Sequence, residues 1–502
     1  MSREAAQEAA RGTGLVLAGA FITQIAEYGY RFLLARGLGA EGFGTFSQAR
    51  SVLLVLAVLA SLGLAAGVKR FVAKLGEEGR GAEARALIRG GTRVIGASAL
   101  AGGALLFLLA RPLAALFDNP ALVTPLRILA FALPAAVGLE YVTRLGEAFR
   151  SYRSAVVARQ ILDPVLRLVG AVVALALGLG LPAVMGVYAG AALIALIVAG
   201  WLVVRLPRYR ALDRAAAPSQ LSALMRFSLP LMFGGVLFDF AERVDILMIG
   251  LYRPEAQVGI YAVGSSLARA LLILVSSTMP VVGTLAAEAV GRNSPADIAS
   301  LHRTTSRWML LFTTPIAAGL LLYAEPALRL LFGAEYVGAA FTLRVLAVAY
   351  LGGCLAGPVG LLLNAMGKTH WTLGNMALRT GLNVALNAFL IPTYGIIGAA
   401  WGTLIALFVA LALLLWQLSQ LAPIGASYRG WHRPIGVLLV ASGAAWGMSS
   451  WWARTGGLEY VGAAGGCAVL VVVFVIGVRI VPGCLEEGDL VLLEPLLRRF
   501  RR

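Results

Sequence analysis

Glu27 and Arg31 stand one helical turn apart inside an apolar run, and with Gln24 and Tyr28 they recur at i, i+3, i+4 and i+7, the spacing of one helix face. A second run carries Asp239, Glu242, Arg243 and Asp245, where Asp239 and Arg243 fall at pairing distance on adjacent turns. Further arginines lie in apolar surroundings at Arg50, Arg127, Arg167, Arg269, Arg344 and Arg379. Two kinds of chemistry use such groups. A guanidinium grips phosphate oxygens through paired donors and stays charged at any working pH, so arginines suit a bound anion. A carboxylate in the same surroundings holds a counter-charge or titrates with a coupled proton or ion. The candidate substrate-binding residues are therefore Gln24, Tyr28, Arg31, Arg50, Arg167, Arg243, Arg269 and Arg379. The candidate ion-coupling residues are Glu27, Asp239 and Glu242. No catalytic residue and no metal site is expected. Ion pairing within the fold is the competing reading, most directly for Asp239 with Arg243.

The elements that hold these residues follow from composition. Of the 502 residues 59% are hydrophobic and 13% charged, with a mean hydropathy of +0.84, whereas soluble domains carry roughly 25% charged residues. A soluble fold has no interior large enough for that apolar surface. A bilayer core about 30 Å thick needs about 20 apolar residues per helical crossing, and such runs lie near 13–35, 44–68, 94–111, 124–143, 160–180, 183–204, 227–251, 258–285, 308–324, 340–363, 372–391, 396–417, 434–452 and 458–479. The expected fold is an all-α polytopic membrane protein of about 14 transmembrane helices.

An even number of spans puts both termini on one side. Most of the 42 Lys and Arg fall in the tails and even-numbered loops, among them Lys69, Arg70, Lys74, Arg80, Arg85, Arg89 and Arg93 after the second run; the odd-numbered loops hold Arg36, Arg111, Arg253, Arg329 and Arg454. Cytoplasmic loops carry such a basic excess, so both termini are expected in the cytoplasm and the net charge of +17 is an orientation signal rather than a nucleic-acid footprint. The same basic loop could also bind acidic lipid or a partner. The first apolar run is interrupted by Gln24, Glu27 and Arg31, unlike the core of a cleavable signal. Cys354, Cys467 and Cys484 lack metal-like spacing and an even count, so they read as small packing residues.

Eight arginines inside spans would cost roughly 20 to 28 kcal/mol if all met lipid. Most must face the bundle interior. Arg50, Arg127 and Arg344 lie near outer span ends, where snorkelling is an alternative; Arg167, Arg269 and Arg379 lie deeper. Prolines within spans, such as Pro134, Pro164, Pro230 and Pro315, break backbone hydrogen bonds and supply kinks.

The chain also repeats itself. Arg111 to Phe117 resembles Glu325 to Phe332 as a short amphipathic piece, Leu126 to Ala130 matches Leu343 to Ala347, and Glu27 and Arg167 correspond to Glu242 and Arg379 at nearly the same offset. Six spans per copy make this a parallel repeat. The expected organisation is an N-terminal six-helix bundle at 1–210, a second at 220–420, two additional helices at 430–480 and a cytoplasmic tail at 481–502, with one cavity shared by the two bundles. Two such bundles can rock about a site exposed alternately to each side.

The turn between the first two spans, Arg36 to Phe46 (RGLGAEGFGTF), is echoed by Leu251 to Gly264 (LYRPEAQVGIYAVG). With a polar N-terminal helix and fourteen spans, the chain resembles the Wzx-like oligosaccharide flippases, the polysaccharide biosynthesis branch of the multidrug/oligosaccharidyl-lipid/polysaccharide (MOP) transporter superfamily. The resemblance implies a flippase of the cytoplasmic membrane, moving a polyprenyl-diphosphate-linked oligosaccharide from the inner to the outer leaflet by alternating access for surface polysaccharide assembly. It also implies contact with membrane lipid, coupling to H+ or Na+, a polysaccharide polymerase or ligase as partner, no cofactor and no nucleic acid. Lipid II flippases share the span count and a cationic cavity, but their serine-rich, arginine-containing first span is not found here. Multidrug exporters of the superfamily favour cationic drugs, which intramembrane arginines repel. A membrane-bound polysaccharide enzyme would need a positioned base in a sizeable outside loop, and the outside loops here are short. A channel would show a ring of repeated ligands.

Overall fold

A run of about 20 apolar residues in lipid must satisfy its backbone internally, and a helix does so within one segment. The computed structural model describes residues 3–482 and 484, except 214, 429, 456 and 457, and within these the side chains of 19 and of 22 onward, apart from 274, 277, 280, 426, 427 and 459. The expected tail at 481–502 lies almost wholly outside the described residues. In chain order the helices are α1 (Arg3–Ser61), α2 (Leu64–Glu77), α3 (Gly81–Leu116), α4 (Val123–Ala148), α5 (Asp163–Ala176), α6 (Gly180–Val204), α7 (Pro207–Arg210), α8 (Leu221–Ala241) and α9 (Val244–Tyr252). They continue with α10 (Glu255–Ala268), α11 (Leu272–Gly291), α12 (Pro295–Leu322), α13 (Ala324–Leu331), α14 (Ala340–Leu355), α15 (Val359–Ala365), α16 (Thr369–Ser419), α17 (His432–Arg454) and α18 (Glu459–Ile480).

The protein is an all-helical, multi-pass membrane protein. Among the described residues, 8 helices can cross a membrane by length and composition, or 9 if α12 and α13, bent by 82°, form one span. Two of them are long enough to cross twice. α1 has 59 residues and a non-helical Gly39 (φ 68, ψ 178), and α16 has 51 and a non-helical Gly395 (φ 59, ψ −137). A left-handed φ is open to glycine because it has no Cβ, so each long helix is two segments turning at a glycine. The two amphipathic pieces seen in the sequence differ in form. Arg111 to Leu116 continues α3 through Pro112, whereas Ala324–Leu331 is a separate helix bent away from α12.

By packing, the chain forms two compact units, residues 1–262 and 263–502. In the first, α4 lies against α1, α2, α3 and α6, while α1 also meets α5 and α8. Its core includes the fully buried Tyr30, Phe46 and Tyr141. α8 and α9, which open the second expected bundle, pack on α1 and α2 and so fall in the first unit. Gly44 and Gly259 sit backbone to backbone: a methyl on Gly44 would overlap the Glu255 carbonyl, and one on Gly259 would overlap that of Ala40. Close approach of this kind needs small residues at the crossing.

In the second unit α14 packs against α12 and α16, and α17 pairs with α18. Ile298, Val359, Leu362, Leu363 and Leu418 form one of its apolar clusters. Across the Gly395 turn, Asn375 donates to Gln417 at 2.7 Å and Asn383 to Thr403 at 3.1 Å, while Asn387 donates to Asn383 at 3.0 Å. The first two bonds tie the two arms of α16 together, each worth about 0.6 to 2 kcal/mol in a membrane, while the third lies within the first arm and orients Asn383.

Candidate functional site

Glu27 on α1 is the centre of a partly buried charge cluster in the first unit. Its Oε2 accepts a hydrogen bond from Arg50 Nη2 at 3.2 Å and lies 3.9 Å from Arg31 Nη2; its Oε1 is 3.8 Å from Arg167 Nη1. Arg167 in turn pairs with Asp163, one turn earlier on α5, at 2.7 Å, and its guanidinium lies 3.8 Å from the centre of the Tyr188 ring on α6. Arg167 is 8% exposed and Asp163 6%. Three guanidiniums face two carboxylates, which leaves one net positive charge. Tyr30 Oη, Arg50 Nε, Arg167 Nε and Asp163 Oδ1 are buried there with no hydrogen-bond partner among the described residues, so the cluster keeps capacity to donate and accept. Removal of water strengthens each of these charges.

Local sequence explains how the three helices meet. Pro164, at the start of α5, has no N–H to give, so the chain before it winds as a π-helix over Ala155–Leu162. The carbonyl four residues before Pro164, that of Gln160, lies 2.7 Å from Thr23 Oγ1 on α1; the same hydroxyl is 2.8 Å from the Gly19 carbonyl, so its one proton serves the two in turn. Gly29 and Gly37 on α1 face Leu168 and Leu175 of α5, and without side chains there the two helices come close enough for Glu27 and Arg167 to interact.

Of the residues the sequence singled out, the structure joins Glu27, Arg31, Arg50 and Arg167. Tyr28 lies beside them, its ring centre 5.8 Å from the Arg31 guanidinium carbon, and Gln24 is half-buried one turn earlier. Asp239 and Arg243 pair with each other, and Arg243 also donates to the Asp239 carbonyl at 2.7 Å. Glu242 ends α8, where the helix breaks before α9. In the second unit Arg269 donates to Ser265 at 3.2 Å and approaches the Tyr350 ring, and Arg379 is half-buried on α16.

Snorkelling does not describe Arg50, whose guanidinium pairs with Glu27 at 3.2 Å. Arg344 is held by Glu325 at 3.2 Å and the Leu321 carbonyl at 3.1 Å, and Arg127 lies over the Phe107 ring. Asp163, Tyr188 and Tyr30 were not foreseen. The available signal for Asp163 was its i,i+4 spacing from Arg167, next to a proline already marked as a kink.

Comparison with known proteins gives a consistent setting. A family model described as "Polysaccharide biosynthesis protein" matches residues 9–282, and one described as MatE matches 230–389. The chain is 22% identical over 208 residues to a probable low-salt glycan biosynthesis flippase, Agl15, of Haloferax volcanii, a match that takes in 41% of this chain and 43% of that protein. The chain thus spans less than half the length of this curated relative. Among solved structures it is similar to a lipid II flippase, MurJ, in an inward closed conformation, with a TM-score of 0.72 and 13% identity over 96% of this chain and 99% of that one. It is also similar to a multidrug resistance MATE family transporter of the MOP superfamily, inward-facing, with a TM-score of 0.64 and 15% identity over 82% and 96% of the two chains. At these identities the likeness is one of fold.

Proposed function

Because the chain belongs to the polysaccharide biosynthesis protein family, with that family's model matching residues 9–282, we propose that it is a flippase that moves a polyprenyl-diphosphate-linked oligosaccharide across the cytoplasmic membrane. The observation that carries the anionic cargo is the Glu27 cluster, with three arginines against two carboxylates and unpartnered guanidinium N–H groups on Arg50 and Arg167. A diphosphate satisfies such donors bidentately and balances the spare charge. A cationic drug would add to it. The curated Haloferax relative, named as a glycan biosynthesis flippase, supports the same class of cargo.

In this reading Gln24, Tyr28, Arg31, Arg50 and Arg167 bind the headgroup in the first unit, Arg243 adds charge beside Asp239, and Arg269 and Arg379 act in the second unit. Glu27, Asp239 and Glu242 are the carboxylates available for coupling to H+ or Na+. The cargo is destined for surface polysaccharide, so a polymerase or ligase acts next on it. Transport proceeds by alternating access of two parallel six-helix repeats, at 1–210 and 220–420, with two further helices at 430–480. Fourteen crossings accord with the helices if α1 and α16 each cross twice by turning at Gly39 and Gly395, and if the shorter successive pieces α8 with α9, α10 with α11, and α14 with α15 each make one.

Two experiments test this reading in cells. Arg269→Ala and Arg379→Ala are each expected to abolish surface polysaccharide while leaving expression and membrane insertion intact; normal polysaccharide with both would remove these residues from the cargo path. With both termini cytoplasmic, cysteines placed at Glu77 and Ser219 react with an impermeant maleimide only after the inner face is opened. Labelling of intact cells at either position would reverse the orientation.

A further inference from the structure

A cavity of about 840 Å3 lies at one end of the first unit, away from the Glu27 cluster, between the outward face of α2, the end of α4 and the short α7. Its walls carry Lys69, Arg70, Lys74, Arg150 and Arg208 against two carboxylates, Glu77 and Glu147. Both carboxylates are already engaged. Glu147 takes Lys69 at 2.7 Å and Arg144 at 3.2 Å, and Glu77 takes Arg150 at 2.9 Å.

Two guanidiniums are left over. Arg70 lies over the Phe227 ring at 4.7 Å, and Arg208 donates to the Phe149 carbonyl at 3.0 Å. Neither has a carboxylate within 4 Å among the described residues. Orientation of the chain by its basic loops requires cations near the membrane, but it does not require two unpaired guanidiniums to share a cavity.

We propose that this cavity is a binding site for the phosphate group of an anionic membrane phospholipid. The depth of the site favours a lipid over a soluble phosphate. Trp201 is half-exposed near the end of α6, with the Arg205 guanidinium stacked 3.9 Å from its ring centre, and Arg208 follows directly. An amphipathic ring of this kind anchors at the headgroups, so Arg208 sits where lipid phosphates lie. Val72, Ala148 and Leu212 give the cavity a buried apolar lining, which suits the first methylenes of a lipid's acyl chains better than a free ion. The Arg85 bond to the Leu212 carbonyl, 3.2 Å, fixes the segment after α7 against α3.

Juxtamembrane cations are each worth roughly a fivefold change in affinity for anionic lipid. The test uses the full-length protein purified in detergent and mixed with dioleoylphosphatidylglycerol or dioleoylphosphatidylcholine, with bound lipids counted by native mass spectrometry. The wild type and the Arg70→Lys/Arg208→Lys pair are expected to hold the glycerol lipid, and the Arg70→Gln/Arg208→Gln pair to hold it about 30-fold more weakly. The lysine pair separates lost charge from lost packing, since it changes the same contacts. Equal retention in the glutamine pair, or equal binding of the choline lipid by the wild type, overturns the site. Displacement of the lipid by an equimolar amount of inorganic phosphate would show a free-anion site and overturn the lipid assignment. None of these outcomes depends on what the protein transports.

Discussion

Arg167→Ala is expected to abolish translocation of the proposed glycan lipid and to lower stability by about 3 to 5 kcal/mol, the usual cost of breaking a buried ion pair by removing one partner. Arg167 touches Glu27, Asp163 and the Tyr188 ring at once. Its loss leaves Asp163 without an ion-pair partner and takes the cluster from one net positive charge to none. Both changes act against a diphosphate. Arg167→Lys separates them. Lysine restores the charge, so stability should return toward the wild type, but a single ammonium cannot bridge two carboxylates and stack on Tyr188 as a planar guanidinium does. Translocation is therefore expected to stay at least about tenfold below the wild type in that variant, a loss of about 1.4 kcal/mol in transition-state terms. Full transport by the lysine variant would mean that Arg167 contributes charge alone.

The second large effect is expected at Glu27, where one carboxylate serves three arginines. Glu27→Gln removes the carboxylate that Arg31 and Arg50 share and raises the net charge of the cluster to two. Uncompensated charge in a low-dielectric interior is costly. The variant is expected to lose about 3 to 5 kcal/mol of stability, read as early aggregation in a heating series followed by size-exclusion chromatography. Glu27→Asp keeps the charge on a shorter arm and is expected to fall between. A Glu27→Gln protein as heat-stable as the wild type would remove Glu27 as the organiser of the arginines. One that remained stable but no longer answered to an imposed proton or sodium gradient would assign it to coupling instead.

What the sequence made legible was local. The stripe Gln24, Glu27, Tyr28 and Arg31 follows from helical period alone, and the Asp239 to Arg243 pair needs only a spacing of four. The depth of Arg167 could be read from its distance to the span ends. The partners of these residues could not, because Glu27 collects arginines from the two arms of α1 and from α5, and nothing in the spacing of 27, 50 and 167 says that these meet. For the same reason the spacing left snorkelling open as an alternative for Arg50, whose side chain in the structure meets Glu27. Asp163 was overlooked beside a proline treated as a kink, although Pro164 frees the Gln160 carbonyl that Thr23 then meets. Hydropathy likewise located apolar runs but gave no sign that successive runs would join with no intervening loop, turning only at Gly39 and Gly395. The asparagine bonds across α16 were invisible because asparagine in a span reads as polar interruption until its partner on the returning arm is known.

The proposed role of the arginines around Glu27 is to serve an anionic, lipid-linked cargo. Its most direct test is a proteoliposome assay in which a polyprenyl-diphosphate-linked oligosaccharide, labelled on the sugar, is followed by the access of an external glycosidase. Wild-type protein is expected to expose the lumenal half of the label, Arg167→Ala to leave it protected, and a cationic dye in the same vesicles to stay where it is. Transport of the dye with no movement of the glycan lipid would contradict it.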